Sequence, residues 1–199
     1  MNNKNIEVVK ETKLLGTYIT DDLKWNKNTS EIVKKANKRM QVLTRAVQFT
    51  SNIQDLKRIY LTYIQSILDQ SAVVWHSSLS QRNRNDLERI QKVAVKIILG
   101  KNYLSYKEGL SKLRLEKLDC RREKICLNFA KKSLKNEKVK HFFDKDHKLH
   151  KMNTRSKNIF KIRAARTKRF QQSAIPYMVN LLNNELRDKR KMIVSQKKI

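Results

Sequence analysis

Proline, glycine and cysteine are scarce in this chain of 199 residues, and each scarcity excludes a class of structure. One Pro and three Gly are too few for the many tight turns of a β-sandwich or barrel, so long helices are expected. Two cysteines, Cys120 and Cys126, cannot form the disulfide framework of a small secreted domain, and they fit a reducing compartment. On one predicted helix they point about 120° apart, so we expect one partly exposed thiol and one core thiol.

Long apolar runs and acidic residues are also few. No apolar run approaches the ~18 residues that span a bilayer, and no signal-peptide pattern opens the chain. Lys and Arg total 46 against 18 Asp and Glu, which gives a net charge of +28. Because such a charge repels itself unless an anion screens it, nucleic acid is the expected partner, and an anionic membrane surface is the disfavoured alternative. The expected location is intracellular, in the nucleus or in a cytoplasmic ribonucleoprotein.

The spacing of the apolar residues predicts a mainly α fold. An N-terminal β-hairpin is expected from 6–10 and 13–20, with its turn near Glu11 and Thr12. A helical bundle and a basic C-terminal segment with one more helix should follow. Four regions result: the hairpin (1–23), a three-helix bundle (24–100), a helical extension (101–146) and the C-terminal segment (147–199). The predicted helices are 25–49, 53–70 capped by Ser51, 81–99 capped by Ser80 and ended by Gly100, a short helix capped by Ser105, 118–135, a single turn in 139–143, and 174–186.

Other helices also have a predicted inner face. The helix over 81–99 should bury Leu87, Ile90, Ala94, Ile97 and Ile98. The helix over 53–70 should bury Ile53, Leu56, Ile59, Tyr60, Tyr63, Ile64, Ile67 and Leu68. The helix over 118–135 should bury Leu118, Ile125, Cys126 and Phe129. A short strand is predicted around Phe160, and residues 187–199 are predicted to form a frayed basic tail.

The helix over 25–49 is apolar on one side and basic on the other. Its apolar residues, spaced by three and four, are Ile32, Ala36, Met40, Leu43 and Val47. The cationic face, on the opposite side and its flank, consists of Lys34, Lys35, Lys38, Arg39 and Arg45. A helix that packs by one side and offers cations on the other suits a phosphate backbone. The alternative is an ordinary solvated face, although only Glu31 lies nearby to pair with these cations.

A second set of cations follows in residues 151–170, which hold eight basic residues and no acid. Without acidic neighbours, phosphate contact or a localisation signal is favoured over a salt-bridged surface. The candidate residues of this basic segment are Arg155, Lys161, Arg163, Arg166, Lys168 and Arg169.

Other residues have two interpretations. Asp21 and Asp22 resemble a paired-carboxylate Mg²⁺ site, but acids just before a helix also stabilise the positive end of its dipole, which is favoured. Trp25 could stack on a base, but packing against the hairpin is favoured. Trp75 and His76 are expected in the core.

Metal and catalytic motifs are weak or missing. The histidines at 141, 147 and 150 with Cys126 match no closed zinc site, so no metal site is predicted. No Gly-rich phosphate loop, Ser/His/Asp set or nucleophile elbow occurs, and no catalytic residue is assigned.

A series of ordered blocks covers nearly the whole chain. They are LLG, ITDDLKW, KKANKR, IYLTYIQSILDQSAVVWHSSL, DLERIQKVAVKIILG, RREKICLNFAKKSLKN and MNTR…ARTKRFQQSAIPYMVNLLN. In this order they resemble the C-terminal part of reverse transcriptases from non-LTR (LINE-type, jockey-like) retrotransposons. The resemblance implies that the hairpin ends the palm and that the following helices form the thumb. It also implies contact with RNA, an RNA–DNA template–primer or a DNA duplex.

The resemblance also implies what a working polymerase would need. The family's palm carries an aromatic-x-Asp-Asp motif whose carboxylates bind two Mg²⁺. No such motif precedes Leu14, and Asp21–Asp22 follows the LLG strand instead. We therefore expect a fragment that does not polymerise alone, that needs no cofactor of its own, and whose partner is the missing palm and fingers.

Three alternatives remain open from the sequence. The chain could be a stand-alone or domesticated nucleic-acid-binding protein. It could be an enzyme that uses Asp21 and Asp22 as metal ligands. It could also be a helical module for a protein partner, with its charge serving only nuclear retention.

Overall fold

The computed structural model describes residues 8–144 and 159–196. As predicted, the fold is mainly helical and begins with a two-stranded antiparallel hairpin. The strands are β1 (Glu11–Leu14) and β2 (Thr17–Thr20). The α-helices are α1 (Asn26–Ala46), α2 (Ile53–Ile59), α3 (Ser66–Asp69), α4 (Ala72–Trp75), α5 (Gln81–Leu99), α6 (Tyr106–Leu113), α7 (Leu118–Ser133), α8 (Lys168–Gln171) and α9 (Ala174–Gln196). A π-helical segment spans Tyr60–Gln65, and 3₁₀ turns span His76–Ser78, Gly100–Asn102 and Lys140–Phe142.

The described residues form two compact units that differ from the four predicted regions. The first contains residues 8–71 and 79–121, and the second contains 72–78, 122–144 and 159–196. Residues 101–121 belong to the first unit because α6 packs against α5. Residues 72–78 belong to the second, where the His76 ring meets the Tyr177 ring edge-on with centroids 5.9 Å apart.

The predicted hairpin is present, but the predicted position of its turn is wrong. Glu11 begins β1, and the chain reverses at Leu15 and Gly16, which have φ of +47° and +84°. Positive φ at both central residues is typical of the type I′ two-residue hairpin loop, and glycine adopts it without strain. A Cβ on Gly16 would lie 2.7 Å from Nε2 of Gln70, the end of an exposed and flexible side chain that can move aside, so the positive φ is the main reason for glycine here.

The hairpin contacts the start of α1. The backbone N–H of Tyr18 donates to Oδ1 of Asn28 at 3.1 Å, and Lys27 pairs with Glu11 at 3.4 Å. Trp25, the residue before α1, is only 8% exposed. Its burial agrees with the favoured packing role and leaves no ring face open for base stacking.

The predicted helix over 53–70 forms in three consecutive pieces, namely α2, the π-helical segment and α3. Its predicted cap is wrong by one residue, because Asn52 and not Ser51 accepts the N–H of Gln54, at 2.9 Å. The predicted caps of α5 and α6 are confirmed: Ser80 accepts from Asn83 and Ser105 accepts from Glu108.

A buried polar network joins the helices of the first unit around Gln91. Tyr60 Oη donates to Oε1 of Gln91 at 2.7 Å, and Nε2 of Gln91 donates to the Glu116 carbonyl at 2.8 Å and to Tyr106 Oη at 3.1 Å. Tyr106 in turn donates to Glu88, and its burial and this bond raise the pKa of Tyr106. Because every polar partner is matched, the network holds the π-helical segment, α5 and α6 in one arrangement.

The second unit has its own apolar core and one polar clamp. The core residues are Cys126, Ala130, Phe143, Phe160, Met178, Val179, Leu181 and Leu182. The clamp is Asn183 of α9, whose Oδ1 accepts the N–H groups of Ile159 and Phe160 at 3.1 and 3.0 Å. Its Nδ2 donates to the Phe160 carbonyl at 3.0 Å, so one side chain fixes this stretch of backbone.

Three predictions for the second unit are wrong. The strand predicted around Phe160 is a single bridge residue. The Phe160 N–H and carbonyl bond to the Asn183 side chain, and the next N–H, of Lys161, donates to the Asp144 carbonyl at 2.9 Å. The frayed tail is helical to Gln196, since α9 continues ten residues beyond 186. Phe129 is 45% exposed, because the inner face of α7 follows Arg122, Cys126 and Ala130.

Candidate nucleic-acid interface

The cationic face lies on the outside of a well-packed helix. On the inner side of α1, Ala36 and Leu43 are fully buried, and Ile32 and Met40 nearly so. Val47, predicted inward, is 42% exposed because it follows the last residue of α1. All five residues of the cationic face are exposed, as the helical periodicity predicts.

The five cations differ in what they contact. Lys34 pairs with Glu31 at 2.9 Å, which raises the pKa of Lys34 and lowers that of Glu31. Arg39 donates from Nη1 to the backbone carbonyl of Tyr63 at 2.9 Å. Lys35, Lys38 and Arg45 have no ion pair or hydrogen bond to the rest of the described chain. These three charges are therefore available to an anionic partner.

The free cations are held at fixed intervals. From Lys35 to Arg45 the helix rises about 15 Å, at about 1.5 Å per residue. That rise matches roughly four nucleotides of one strand at about 3.4 Å each. Because the opposite side of α1 is buried, these intervals do not depend on the partner, so the face is arranged before binding.

A groove that sequence reasoning missed lies beside this face. Its volume is about 580 Å³, and it is lined by Lys38, Arg39, Gln41, Val42, Arg45 and Tyr63. The prediction that Tyr63 is buried is wrong, since it is 52% exposed. The wider π-helical turn keeps Tyr60 and Ile64 inside and leaves Tyr63 outside. An α-helical period alone gives no signal for this change.

The basic segment is exposed but less regular. Lys161, Arg163, Arg166, Lys168 and Arg169 are all exposed. Arg163 has an acidic neighbour that the local sequence did not reveal, since its Nη2 lies 3.7 Å from Asp144. Residues 161–167 form no helix or strand, and the four-residue α8 begins after Thr167. Arg155 lies outside the described residues.

The paired carboxylates before α1 stabilise a turn. Oδ1 of Asp22 accepts the Thr20 hydroxyl at 2.7 Å and the Lys24 N–H at 3.0 Å, and Lys24 Nζ lies 3.2 Å from Oδ2. The bond from the Lys24 backbone, followed by that from Thr20, lowers the pKa of Asp22 to about 2. These bonds occupy the carboxylate in the connection from β2 to α1. They do not bear out the favoured helix-dipole interpretation, because α1 begins at Asn26 with Trp25 as its N-cap and has no acid in its first turn.

The remaining candidates have local structural roles or lie outside the described residues. Trp75 and His76 are buried as expected, and the Arg122 guanidinium lies 5.2 Å from the Trp75 ring centroid. Within 8–144 and 159–196, no group of three or more His, Cys, Asp and Glu is arranged to hold a metal ion. His147 and His150 of the discarded zinc set lie outside the described residues. Cys120 is exposed and Cys126 is buried, as predicted, and burial raises the pKa of Cys126 to about 11.

Among the described helices, none has the length and apolarity that crossing a bilayer requires.

Comparison with family models, with curated proteins and with solved structures gave no match to this chain. The resemblance to non-LTR reverse transcriptases therefore stays a prediction from the sequence blocks.

Proposed function

We propose that this chain binds the sugar-phosphate backbone of RNA or of an RNA–DNA duplex through the cationic face of α1. In this proposal it corresponds to the thumb and C-terminal region of a non-LTR reverse transcriptase, holds template–primer for a palm supplied elsewhere, and does not polymerise alone. The observation that carries the binding role is the row of unpaired cations, Lys35, Lys38 and Arg45, on a helix whose reverse side is buried.

Charge chemistry supports this partner over others. A net charge of +28 needs a dense polyanion for screening, and nucleic acid supplies one charge per nucleotide. Contacts to phosphate carry no sequence information, so binding should depend little on base sequence and steeply on salt.

Two matched charge reversals test the proposal. One variant changes Lys35, Lys38 and Arg45 to Glu, and the control changes Lys161, Arg166 and Lys168 to Glu. Both remove the same charge from exposed positions without described ion pairs, so long-range attraction falls equally. Any difference in affinity between the two variants therefore reflects how the cations are arranged.

Fluorescence anisotropy with a labelled RNA–DNA duplex, over a salt series, is the measurement. We expect the α1 variant to lose about 100-fold in affinity and its salt slope to fall by about 2.7, at ~0.9 per phosphate contact. The control should lose less than about tenfold. Equal losses, or a wild-type affinity that does not change with salt, would contradict the proposal; circular dichroism checks that both variants remain helical.

A further inference from the structure

The Tyr63 groove combines features that a phosphate-binding surface alone does not need. Besides three cations it holds an exposed aromatic ring, an exposed aliphatic side chain in Val42 and an amide in Gln41. Phosphates interact with cations and with N–H groups, and they gain nothing from an aromatic face. The groove therefore fits a ligand that has both an anionic part and a flat apolar part.

The backbone around Tyr63 is shaped to hold the ring outward. The residue lies within the π-helical segment, and such segments recur at functional sites. Its carbonyl accepts Nη1 of Arg39 at 2.9 Å, which ties the segment to α1 next to the free cations. The bond uses one N–H of Arg39, and the other guanidinium donors have no partner in the described chain.

The ring itself is open. Tyr63 is 52% exposed, and neither a ring contact nor a hydrogen bond of its hydroxyl occurs in the described part of the chain. Its neighbours Tyr60 and Ile64 are fully buried, so the helix under it is fixed. An exposed aromatic on a rigid support, with cations beside it, is the arrangement by which single-stranded nucleic acid is bound.

We propose that Tyr63 stacks on an unpaired nucleobase while Lys38, Arg39 and Arg45 bind the flanking phosphates. This inference rests on the proposed function and deepens it, because it names an unpaired nucleotide, and not a base pair, as the occupant. Bases inside a duplex are stacked on each other and offer only their edges, so the ring needs an overhang, a flap or a single-stranded template. Gln41 has the donors and acceptor to contact a base edge.

An acidic protein segment is the competing occupant, since it would also bring negative charge. In that case the Tyr63 ring and Val42 would contact apolar side chains of the protein segment. A nucleotide fits better because it carries a phosphate beside a flat base, and the groove holds three cations beside one aromatic ring.

The test uses three labelled RNA–DNA duplexes with the full chain. One has blunt ends, one has an overhang of four unpaired nucleotides, and one has the same overhang built from abasic residues. The abasic overhang keeps the phosphates and lacks the bases. Wild-type protein should bind the normal overhang roughly 10-fold or more tightly than the abasic overhang, the size expected for stacking.

Three variants test whether the Tyr63 ring is the group that stacks on the base. Tyr63→Ala should bind the normal and abasic overhangs equally, and Tyr63→Phe should keep the preference because it keeps the aromatic face. Phe49→Ala is the matched control, because Phe49 is 86% exposed and lies outside the groove. It should behave as the wild type. Both positions, Tyr63 and Phe49, are exposed, and thermal unfolding verifies that each variant folds.

The outcomes separate this inference from the one on which it rests. If the wild type binds all three duplexes equally, in a salt-dependent way, the stacking site is wrong and the phosphate interface stands. If it binds none of them, both fail. If polyglutamate displaces the normal overhang as well as an unlabelled oligonucleotide does at equal ionic strength, the occupant is an acidic chain and the inference is overturned.

Discussion

The cationic face of α1 and the basic segment carry similar charge but stand on different supports. The cationic face belongs to a helix of 21 residues that buries one side in an apolar core. The basic segment is irregular from 161 to 167, and its backbone is fixed at one end by Asn183. The first therefore has fixed spacing between charges, whereas the second has charge without a regular interval.

This difference teaches that charge density and charge arrangement are separate properties. Long-range attraction depends on the sum of the charges, and both regions contribute to it equally per residue. Tight contact depends on how much freedom the side chains and backbone lose on binding, and a preformed face loses less. The sequence reveals the density, and the structure reveals the arrangement.

The largest effect should come from weakening the support of the cationic face. Leu43→Ala leaves a cavity where a fully buried side chain packs under α1. We expect the free energy of unfolding to fall by about 2–5 kcal/mol. Val47→Ala, at a 42% exposed position just after the same helix, should change it by less than about 0.5 kcal/mol. Urea denaturation measures both, and equal losses would mean that α1 is not held by its apolar side.

Breaking the polar network should have the next largest effect. Gln91→Leu removes the partner of the Tyr60 hydroxyl and of the Glu116 carbonyl. Because the change removes three hydrogen bonds of a fully buried side chain, each worth about 0.5–1.5 kcal/mol, we expect a loss of about 2–4 kcal/mol in unfolding free energy. Lys96→Ala, on the exposed side of α5, is the control. Unchanged stability in Gln91→Leu would show that the network is not needed to hold the helices.

Removing the Asn183 clamp at the start of the basic segment should lower the unfolding free energy less. Asn183→Ala removes three hydrogen bonds to Ile159 and Phe160, and we expect about 1–3 kcal/mol of destabilisation. The neighbouring Asn184→Ala is the control because Asn184 is exposed. Hydrogen exchange of the Ile159 and Phe160 amides should become faster in the first variant only. If exchange at these amides is equally fast in wild type, the backbone there is as free as the segment that follows.

The smallest effect concerns the turn before α1 and depends on pH. The pKa of Asp22 is about 2 in the folded chain, below its ordinary value of 3.8. The ionised carboxylate therefore stabilises the fold above about pH 4, and this contribution is lost as pH falls from about 4 to about 2. The difference in melting temperature between wild type and Asp22→Asn should shrink over that interval. A constant difference would mean that the charge does not contribute.

Much of the fold follows from local signals in the sequence. The period of α1, the caps Ser80 and Ser105 and the stop at Gly100 are determined by neighbouring residues, so they could be predicted. The apolar alternation misplaces the hairpin turn because it carries no signal from Gly16, the residue that adopts positive φ at the true turn. The extension of α9 was missed because its basic residues resemble a tail.

The candidate site also contains residues that the sequence predicts and residues that it does not. The five cations of α1 could be found from charge and helical period alone. Tyr63 could not, because a π-helical turn has no period signal, and the bond from Arg39 to the Tyr63 carbonyl joins residues 24 positions apart. Similarly, the partner of Arg163 is Asp144, which lies outside the basic run that the composition singled out.

The contrast between the two thiols has a practical consequence for these experiments. A maleimide dye reacts with thiolate, and Cys120 is exposed whereas Cys126 is buried with a pKa near 11. The natural chain thus carries a single reactive attachment point on α7. A spectroscopic probe can be placed there without engineering the sequence, and its signal would follow the binding of nucleic acid from a fixed position.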